Sequence, residues 1–318
     1  MANTTLKNAA KAKNDEFYTQ ITDIEKECSH YTKHFKGETI FCNCDDPDTS
    51  NFWRYFHIHF SHLGLKKLIS THFVYQDMYN PGDTYKMEYS GGNDSDFTIG
   101  KKTTLKENGD FRSEECIEIL KECDIVITNP PFSLFREYMA QLLTYNKKFL
   151  IIGHQNAITY KGIFQLIRDN KLWLGHNNFD NSRFIMPSYY DITKSKYAYE
   201  ENGIKYGRVS GLRWYTNIDH KKRHDNIILY KKYKKNEKEY LYYDNYDAIE
   251  VSSVAEMPAD YEGVMGVPVT FMDKYNPDQF ELIGSNRDVE QDPNGIYGRG
   301  SLLNGKETFK RLFIKRKK

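Results

Sequence analysis

The stretch Asn129-Pro-Pro-Phe132 contains the residue types in this sequence that best suit chemistry. A side-chain amide oxygen and a backbone carbonyl, such as those of Asn129 and Pro130, can accept two N–H bonds from one amino group. Phe132 offers an aromatic face to a planar ring, and the prolines restrict the backbone. The amino nitrogen of adenine is a poor nucleophile because its lone pair is delocalised into the ring. Two acceptors favour the tetrahedral nitrogen that can attack an electrophilic methyl group, by stabilising the developing charge.

A short apolar run stands directly before this stretch. Ile125 to Thr128 is predicted to be a fully buried strand, because a strand covered on both faces shows a continuous apolar or β-branched run. Pro130 and Pro131 then force the chain to turn. In an open α/β sheet, ligands bind beyond the carboxyl ends of the strands, so Asn129 is predicted to face such a crevice. The alternative is that Asn-Pro-Pro is simply a rigid turn.

Length and composition bound the class of protein. A chain of 318 residues can form one large α/β domain or two modest ones. The mean hydropathy is −0.74. No apolar run approaches the roughly 20 residues of a membrane span, and the N-terminus lacks the apolar region of a signal peptide. Five scattered cysteines, an odd number, fit reduced thiols better than a disulfide framework, so a cytoplasmic location and no membrane partner are expected.

The charge of the chain is unevenly distributed. Ten Lys or Arg and two Asp lie between Lys205 and Lys235, which gives this segment +8 and, since the whole chain carries +1, leaves −7 on the remainder. Basic residues interleaved with aromatic ones can pair with phosphates and stack on bases. A solvated charged face is the alternative. The residues predicted to contact DNA are Arg213, Trp214, Lys221, Lys222, Arg223, Lys231 and Lys232.

The first predicted strand, Thr39 to Cys44, ends in an acidic turn that is followed by a helix. The Gly-x-Gly-x-x-Gly turn that binds a pyrophosphate is missing. S-adenosylmethionine (AdoMet) has no phosphate, and its positive sulfonium and amino groups suit carboxylates. A capped βα turn alone would use the same residue types. The residues predicted to contact AdoMet here are Asp45, Asp46, Pro47, Ser50 and Asn51.

Two further aromatic segments are candidates for cofactor contacts. Phe17, Tyr18 and Thr19 precede a predicted amphipathic helix and could pack on a cofactor, or could be a hydrophobic staple on the core. Asp110 could accept from the adenine amino group of the cofactor while Phe111 stacks on the ring. The alternative for these two is a loop and helix cap. No metal site is expected, because the closely spaced histidines do not share a helix face and no Cys-x-x-Cys pair accompanies them.

Predicted strands alternate with predicted helices over the first half of the chain, which is typical of a doubly wound α/β sheet. Residues 1–176 are therefore predicted to form an AdoMet-binding catalytic domain, and residues 177–260 a DNA target-recognition region. Short strands in 261–318 could complete either one. Between Asn80 and Asn108, a hairpin pairing Glu88–Tyr89 with Phe97–Ile99 is one prediction, and a loop closing over substrate is the other.

Four motifs together resemble those of the EcoRI-type adenine-specific DNA methyltransferases. The tail, with Gly266-Val-Pro-Val-Thr-Phe271, is also similar, so the resemblance covers most of the chain. The order of the motifs resembles the γ arrangement of amino-methyltransferases. The departure lies at the first strand, where Asp45-Asp-Pro47 replaces a glycine-rich loop. The four motifs are Asp15-Glu-Phe-Tyr-Thr-Gln20, Phe41-x-x-Cys-Asp-Asp-Pro47 with Ser50-Asn-Phe52, Asp110-Phe111 and Asn129-Pro-Pro-Phe132.

The resemblance implies a Rossmann-like AdoMet-dependent sheet with an inserted or appended DNA-recognition region. It implies that Phe17, Tyr18 and Thr19 bind AdoMet, and that catalysis uses Asn129, Pro130, Pro131 and Phe132. The expected substrate is an adenine flipped out of duplex DNA. The expected enzyme is a monomer, acting in a restriction-modification system beside a cognate endonuclease or as an orphan or phage methylase. An RNA or protein-glutamine acceptor, or a DNA-binding module with a lapsed site, are the alternatives.

Overall fold

The computed structural model describes residues 19–75, 78, 80–180, 182–186, 191–194, 197–286 and 300–317. The chain forms two compact units. The first contains Met1–His154 and Asn177–Asp219, and the second contains Gln155–His176 and His220–Lys318. One division between the units falls after His176, where the catalytic domain was expected to end, and each unit also contains residues from the other side of that point. The assignment of DNA recognition to residues 177–260 stays a prediction.

Five helices of the first unit lie among the described residues, and none described in either unit is long and apolar enough to cross a membrane. Side chains cap two of them, since the hydroxyls of Ser50 and Ser113 accept from N–H groups in the first turns of their helices. The helices are α1 (Ile21–Cys28), α2 (Asn51–Ile58), α3 (Phe60–Leu63), α4 (Glu114–Glu122) and α5 (Phe135–Thr144).

The strands of the first half of the chain form a large mixed sheet. They are β1 (Thr39–Cys42), β2 (Lys67–Thr71), β3 (Tyr85–Tyr89), β4 (Lys101–Thr104), β5 (Ile125–Thr128) and β6 (Lys148–His154). The next five described strands of the chain are β7 (Trp173–Asn178), β8 (Phe184–Ile185), β9 (Tyr199–Glu201), β10 (Ile204–Gly207) and β11 (Leu212–Thr216). Within the first unit the sheet order is β4-β3-β2-β1-β5-β6-β11, while β8, β10 and β9 pair separately.

Parallel pairing relates the four central strands of the large sheet. β1 pairs in parallel with β2 and β5, and β5 with β6, while β3, β4 and β11 run antiparallel to their neighbours. All residues of β1 and β5 are buried, as expected for strands covered on both faces. Ile40, Ile127 and Leu150 share one core cluster with Phe52 and Trp53 of α2. The carboxyl ends of β1, β2 and β5 consequently lie side by side.

The mixed α/β class is confirmed, and β5 has the predicted bounds. The hairpin between Asn80 and Asn108 exists, but its second arm is Lys101–Thr104, and Glu88 pairs with Lys101. The choice of Phe97–Ile99 as that arm was wrong. Phe97 instead packs against the core, and its carbonyl accepts from the Trp53 indole N–H at 2.8 Å.

The second unit has a sheet of its own. Its helices are α6 (Lys161–Arg168) and α7 (Tyr233–Asn236), and its strands are β12 (Ile249–Glu250), β13 (Met265–Pro268), β14 (Phe280–Ser285), β15 (Leu302–Leu303), β16 (Lys306–Glu307) and β17 (Arg311–Arg316). The order β12-β13-β17-β14 makes a four-stranded sheet, and β15 and β16 form a hairpin. The side chains of Phe280, Leu312 and Ile314 in this sheet are buried. The tail strands therefore do not complete the large sheet.

Candidate active site

Asn129 follows directly on β5, at the carboxyl end of the sheet. Thr128 is fully buried, while Asn129 is half-buried. The chain then turns through the prolines, and a short 3₁₀ turn begins at Phe132 and leads into α5. The Leu134 N–H donates to the Pro131 carbonyl at 3.0 Å, which closes this turn. Phe132 is partly buried against the core cluster. The local sequence therefore produces the strand and turn that were predicted.

The carboxylate of Asp45 joins the end of β5 to the start of α2. One oxygen accepts from the Thr128 hydroxyl and, at 3.3 Å, from the Asn129 N–H. The other accepts from the Ser50 hydroxyl at 2.8 Å, and Ser50 in turn accepts from the Phe52 N–H. Burial raises the pKa of Asp45 from 3.8 to about 6, although the hydrogen bonds from Thr128, Ser50 and Asn129 oppose this shift.

The backbone around Asp45 is held by the neighbouring strands as well. The Ser70 hydroxyl of β2 lies within hydrogen-bond distance of both the Asp45 and the Cys42 carbonyls. The Thr128 hydroxyl accepts from the Cys44 N–H at 3.2 Å. The three parallel strands are thus cross-linked where they end, by hydroxyl groups rather than by further ladder bonds.

Asn43 forms a second link across this edge. Its side-chain oxygen accepts from the Tyr138 hydroxyl of α5, and its carbonyl accepts from the Thr71 hydroxyl at 3.2 Å. The Tyr138 ring meets Phe111 edge-on, with ring centroids 5.0 Å apart. Among the described residues, the buried side-chain nitrogen of Asn43 has no hydrogen-bond partner.

Asp46 is the carboxylate of this turn that keeps partial exposure. Its side chain lies 3.2 Å from Nδ1 of His72, and it accepts from the Asp48 N–H at 3.0 Å. Burial alone would raise the pKa of Asp46, but the bonds from His72 and Asp48 hold it below its ordinary value. The hydrogen bond to Asp46 raises the pKa of His72 in turn. The two groups form an ion pair when His72 is protonated, and Pro47, which follows Asp46, is buried.

Thr19 is the one residue of the predicted cofactor contacts Phe17, Tyr18 and Thr19 that the structure describes. Its carbonyl accepts from the Asn51 side-chain amide at 2.7 Å, which fastens it to the first turn of α2. The Thr19 hydroxyl is buried and has no partner among the described residues. Phe17 and Tyr18 lie outside the described residues, so their predicted cofactor contacts stay predictions.

Asp110 and Phe111 lie in the loop before α4. The Asp110 carboxylate receives two bonds from the Arg112 guanidinium, at 2.8 and 2.6 Å. Burial would raise the pKa of Asp110, but Arg112 holds it below its ordinary value. Phe111 is 5% exposed, packs on Tyr138, and its carbonyl accepts from Gln141. Asp110 and Phe111 therefore lie in the loop while Ser113 caps α4, and adenine binding by the pair stays a prediction.

Two residues that were predicted to contact DNA lie inside the first unit. Arg213 is 3% exposed and bonds to Asp180 at 2.9 Å, and Trp214 is 1% exposed. The Trp214 ring packs against Phe179 and Phe52 at centroid distances of 5.2 and 6.0 Å. Both side chains are buried in β11, so neither is accessible for the predicted contact with DNA.

The next basic cluster, Lys221 to Arg223, lies in the second unit, and only part of it is exposed for contact with DNA. Lys221 is exposed. Lys222 is half-buried and donates to the His176 carbonyl at 2.6 Å. Arg223 is 9% exposed and stacks 3.6 Å above the Trp173 ring. Of these three, Lys221 has the side chain best placed to meet a phosphate.

The last two predicted DNA contacts belong to the segment 228–232, which also has exposed aromatic and apolar side chains. Lys231 pairs with Glu256 at 3.1 Å, and Lys232 is exposed. Tyr230 and Ile228 are 81% and 71% exposed. Sequence reasoning did not single out these two residues, which lie outside any strand of the second unit.

Comparison with known proteins identifies the family. A family model described as "Adenine-specific methyltransferase EcoRI" matches residues 5–317. The chain belongs to this family. It is 44% identical to the Type II methyltransferase M.EcoRI of Escherichia coli, over 99% of this chain and 97% of that protein. No solved structure matches the chain.

Two relatives from other bacteria extend the family. The chain is 42% identical to the Type II methyltransferase M.MgeORF184P of Mycoplasma genitalium, over 86% of this chain and 84% of that protein. It is 41% identical to the Type II methyltransferase M.MpnI of Mycoplasma pneumoniae, over 86% and 83%. The resemblance found in the motifs is confirmed, and the chain is an adenine-specific methyltransferase. Membership implies AdoMet as the methyl donor.

Proposed function

We propose that this enzyme transfers a methyl group from AdoMet to the N6 amino group of an adenine in duplex DNA, at one specific site. The Asn129 side-chain oxygen and the Pro130 carbonyl accept the two N6 hydrogens, and Phe132 stacks on the ring. The target base must leave the double helix to reach these groups, at a cost of a few kcal/mol that protein contacts offset. The similarity to Type II methyltransferases supports this substrate class.

The single observation that carries the proposal is the position of Asn129. It follows a fully buried parallel strand at the carboxyl edge of the sheet, and its N–H is fixed by the buried Asp45 carboxylate. This is the edge at which α/β sheets bind ligands. The half-buried side chain is thus held on a rigid strand end rather than on a loose loop.

The chemistry needs little beyond these acceptors. AdoMet, when bound, supplies an electrophilic methyl group on a positive sulfur. The adenine nitrogen forms its bond to the methyl carbon as the carbon–sulfur bond breaks, and the nitrogen then loses one proton to water. Positive charge develops on the nitrogen, so two preorganised oxygen acceptors stabilise the transition state more than the ground state. No general base with a shifted pKa is required.

The residues near Asn129 fit AdoMet. The part-exposed, ionised carboxylate of Asp46 suits a positive amino group or ribose hydroxyls. The buried Thr19 hydroxyl, without a partner among the described residues, leaves a hydrogen-bonding group for a ligand. We assign the cofactor to Thr19, Asp46, Pro47 and Asn51 together with Phe17 and Tyr18. Asp110 and Phe111 are assigned to its adenine.

DNA recognition is assigned to residues 177–260, in the sequence-specific manner of a modification enzyme that protects sites from a cognate endonuclease. Phosphate contacts position a protein on DNA, and exposed lysines supply them. Lys221 and Lys232 are exposed, and Tyr230, two positions before Lys232, has an exposed ring. A monomer acting in the cytoplasm completes the proposal.

The test is methyl transfer from labelled AdoMet to unmethylated genomic DNA, RNA and bulk protein in parallel, followed by sequencing of modified adenines. Label on adenine within one short DNA motif is the expected result. Label on RNA or on protein glutamine, with unlabelled DNA, would replace the proposed acceptor. Binding of DNA without any transfer and without AdoMet binding would indicate a lapsed catalytic site.

A further inference from the structure

Asp45 was expected to touch the cofactor, yet its carboxylate is directed into the protein. Residue exposure is 9%, and both oxygens are engaged. Thr128 and the Asn129 N–H share one oxygen, and the Ser50 hydroxyl occupies the other. A carboxylate in this position is costly to bury, and it is stabilised by the hydrogen bonds it accepts. Its contacts belong to the end of β5 and the start of α2, rather than to an open surface.

These contacts constrain the residue that matters most for the reaction. Asn129 directly follows the last residue pair of β5 and β6, which is Thr128 with Ile151. Just beyond this pair, the Asp45 carboxylate accepts from the Asn129 N–H at 3.3 Å and from the Thr128 hydroxyl beside it. Rotation of this peptide would swing the Asn129 side chain away from its target, and a misplacement of about 1 Å can cost a rate factor of about 100.

We propose that Asp45 is a positioning residue for methyl transfer: its carboxylate holds the Thr128–Asn129 peptide so that the Asn129 amide meets the target amino group. Asp45 contacts neither the reacting nitrogen nor the methyl group. The inference rests on the proposed role of Asn129. Asp45 is thereby assigned to the support of the catalytic motif instead of to cofactor binding. Asp46 is then the carboxylate assigned to AdoMet.

The proposal predicts a dependence of the transfer rate on pH. The titratable groups that face Asp45 are Asp46 on its own turn, Cys42 and Cys44 on β1 and its extension, and Tyr138 on α5. Burial raises the pKa of both thiols and of the phenol well above their ordinary values, so only Asp46 carries charge near neutrality, and it is paired with His72. Protonation of Asp45 alone should therefore loosen the peptide as the pH falls through about 6.

The experiment uses the full chain with Asp45→Asn, Thr128→Val and Thr128→Ser. Asp169→Asn is the matched control, because this exposed aspartate lies in the second unit and accepts only from Gln165 among the described side chains. Three quantities are measured: the AdoMet Kd by calorimetry, the single-turnover rate of transfer to an unmethylated duplex between pH 5.5 and 8.5, and hydrogen exchange of a peptide covering residues 125–134.

The expected result is a transfer rate lowered about 100-fold by Asp45→Asn and Thr128→Val, an AdoMet Kd changed less than about threefold, and faster exchange at Asn129. Thr128→Ser keeps the hydroxyl and should retain the rate. The decline of the wild-type rate near pH 6 should vanish in Asp45→Asn. A weakened AdoMet Kd with an unchanged saturated rate would make Asp45 a cofactor contact instead.

Unchanged exchange at Asn129 in both variants would overturn the proposal whatever the acceptor. If Asp45→Asn does not fold, Thr128→Val alone decides, since it removes the same hydrogen bond from the other partner. Failure of the proposed function looks different: the wild-type chain would label no DNA, while exchange at Asn129 would still respond to Asp45.

Discussion

The side-chain amide of Asn51 donates a 2.7 Å hydrogen bond to the carbonyl of Thr19, across 32 positions of sequence. This bond joins the end of the N-terminal aromatic motif to the first turn of α2, whose cap Ser50 also binds Asp45. The proposed cofactor contacts and the support of Asn129 therefore share one helix start. Changes at this helix start should separate binding of AdoMet from transfer of its methyl group.

Asn51→Ala should weaken AdoMet binding without slowing transfer at saturating AdoMet. The lost hydrogen bond is worth about 1 kcal/mol, which corresponds to a rise in Kd of about fivefold. Calorimetry with AdoMet measures the Kd, and Asn93→Ala, which changes an exposed asparagine, is the control. An unchanged Kd in Asn51→Ala would remove Thr19 from the cofactor site.

The buried Asp45 should make the stability of the fold depend on pH in an unusual direction. Its pKa is about 6 in the folded protein against an ordinary 3.8, so between these values the folded state holds a proton that the unfolded state has lost. Binding of this proton stabilises the folded state fully below pH 3.8. About 3 kcal/mol of this stabilisation is lost as the pH rises to about 6.

Thermal unfolding of the wild type and of Asp45→Asn, at steps from pH 4 to pH 7.5, measures this contribution. The difference in Tm between the two proteins should move in favour of the variant as the pH rises. A constant difference over this range would show that Asp45 does not titrate with a raised pKa.

Trp214→Ala should destabilise the fold rather than weaken DNA binding. The ring is 1% exposed, and truncating a buried Trp costs about 3–5 kcal/mol. Urea unfolding measures the loss, and DNA affinity is then measured at a temperature at which the variant is folded. A stable variant with weakened DNA binding would return Trp214 to the DNA-contacting residues.

The sequence predicted local structure such as β5, but it did not predict which side chains of β11 are buried. β5 was predicted to the residue, because four buried apolar or β-branched residues and two prolines are local signals. Arg213 and Trp214 carried a basic and aromatic pattern that suits DNA. Their burial depends on Asp180, Phe179 and the pairing of β11 with β6, which lie far away in sequence.

In the candidate site, too, some features could be predicted from the sequence and others could not. The turn after β1 could be predicted as a cluster of polar residues at a strand end, but not which carboxylate faces inward. That choice is made by Thr128, 83 positions away, for Asp45 and by His72 for Asp46. Long-range hydrogen bonds between strand ends leave no periodic signal in a single sequence.

Lys232→Ala should weaken DNA binding at all sequences alike and lower the dependence on salt. The side chain is exposed, and removing one phosphate contact reduces the slope of log K against log salt by about 0.9. Binding to specific and random duplexes at several salt concentrations measures this slope, with exposed Lys33→Ala as the control. An unchanged slope would remove Lys232 and the segment 228–232 from the DNA interface.

The most direct test of the central claim is Asn129→Ala, assayed for methyl transfer from labelled AdoMet to unmethylated duplex DNA alongside calorimetry of AdoMet binding. The account predicts that transfer to adenine is abolished while AdoMet still binds, because the side-chain acceptor for the amino group is gone and the cofactor contacts remain. Methyl transfer at the wild-type rate by Asn129→Ala would contradict the assignment of the active site.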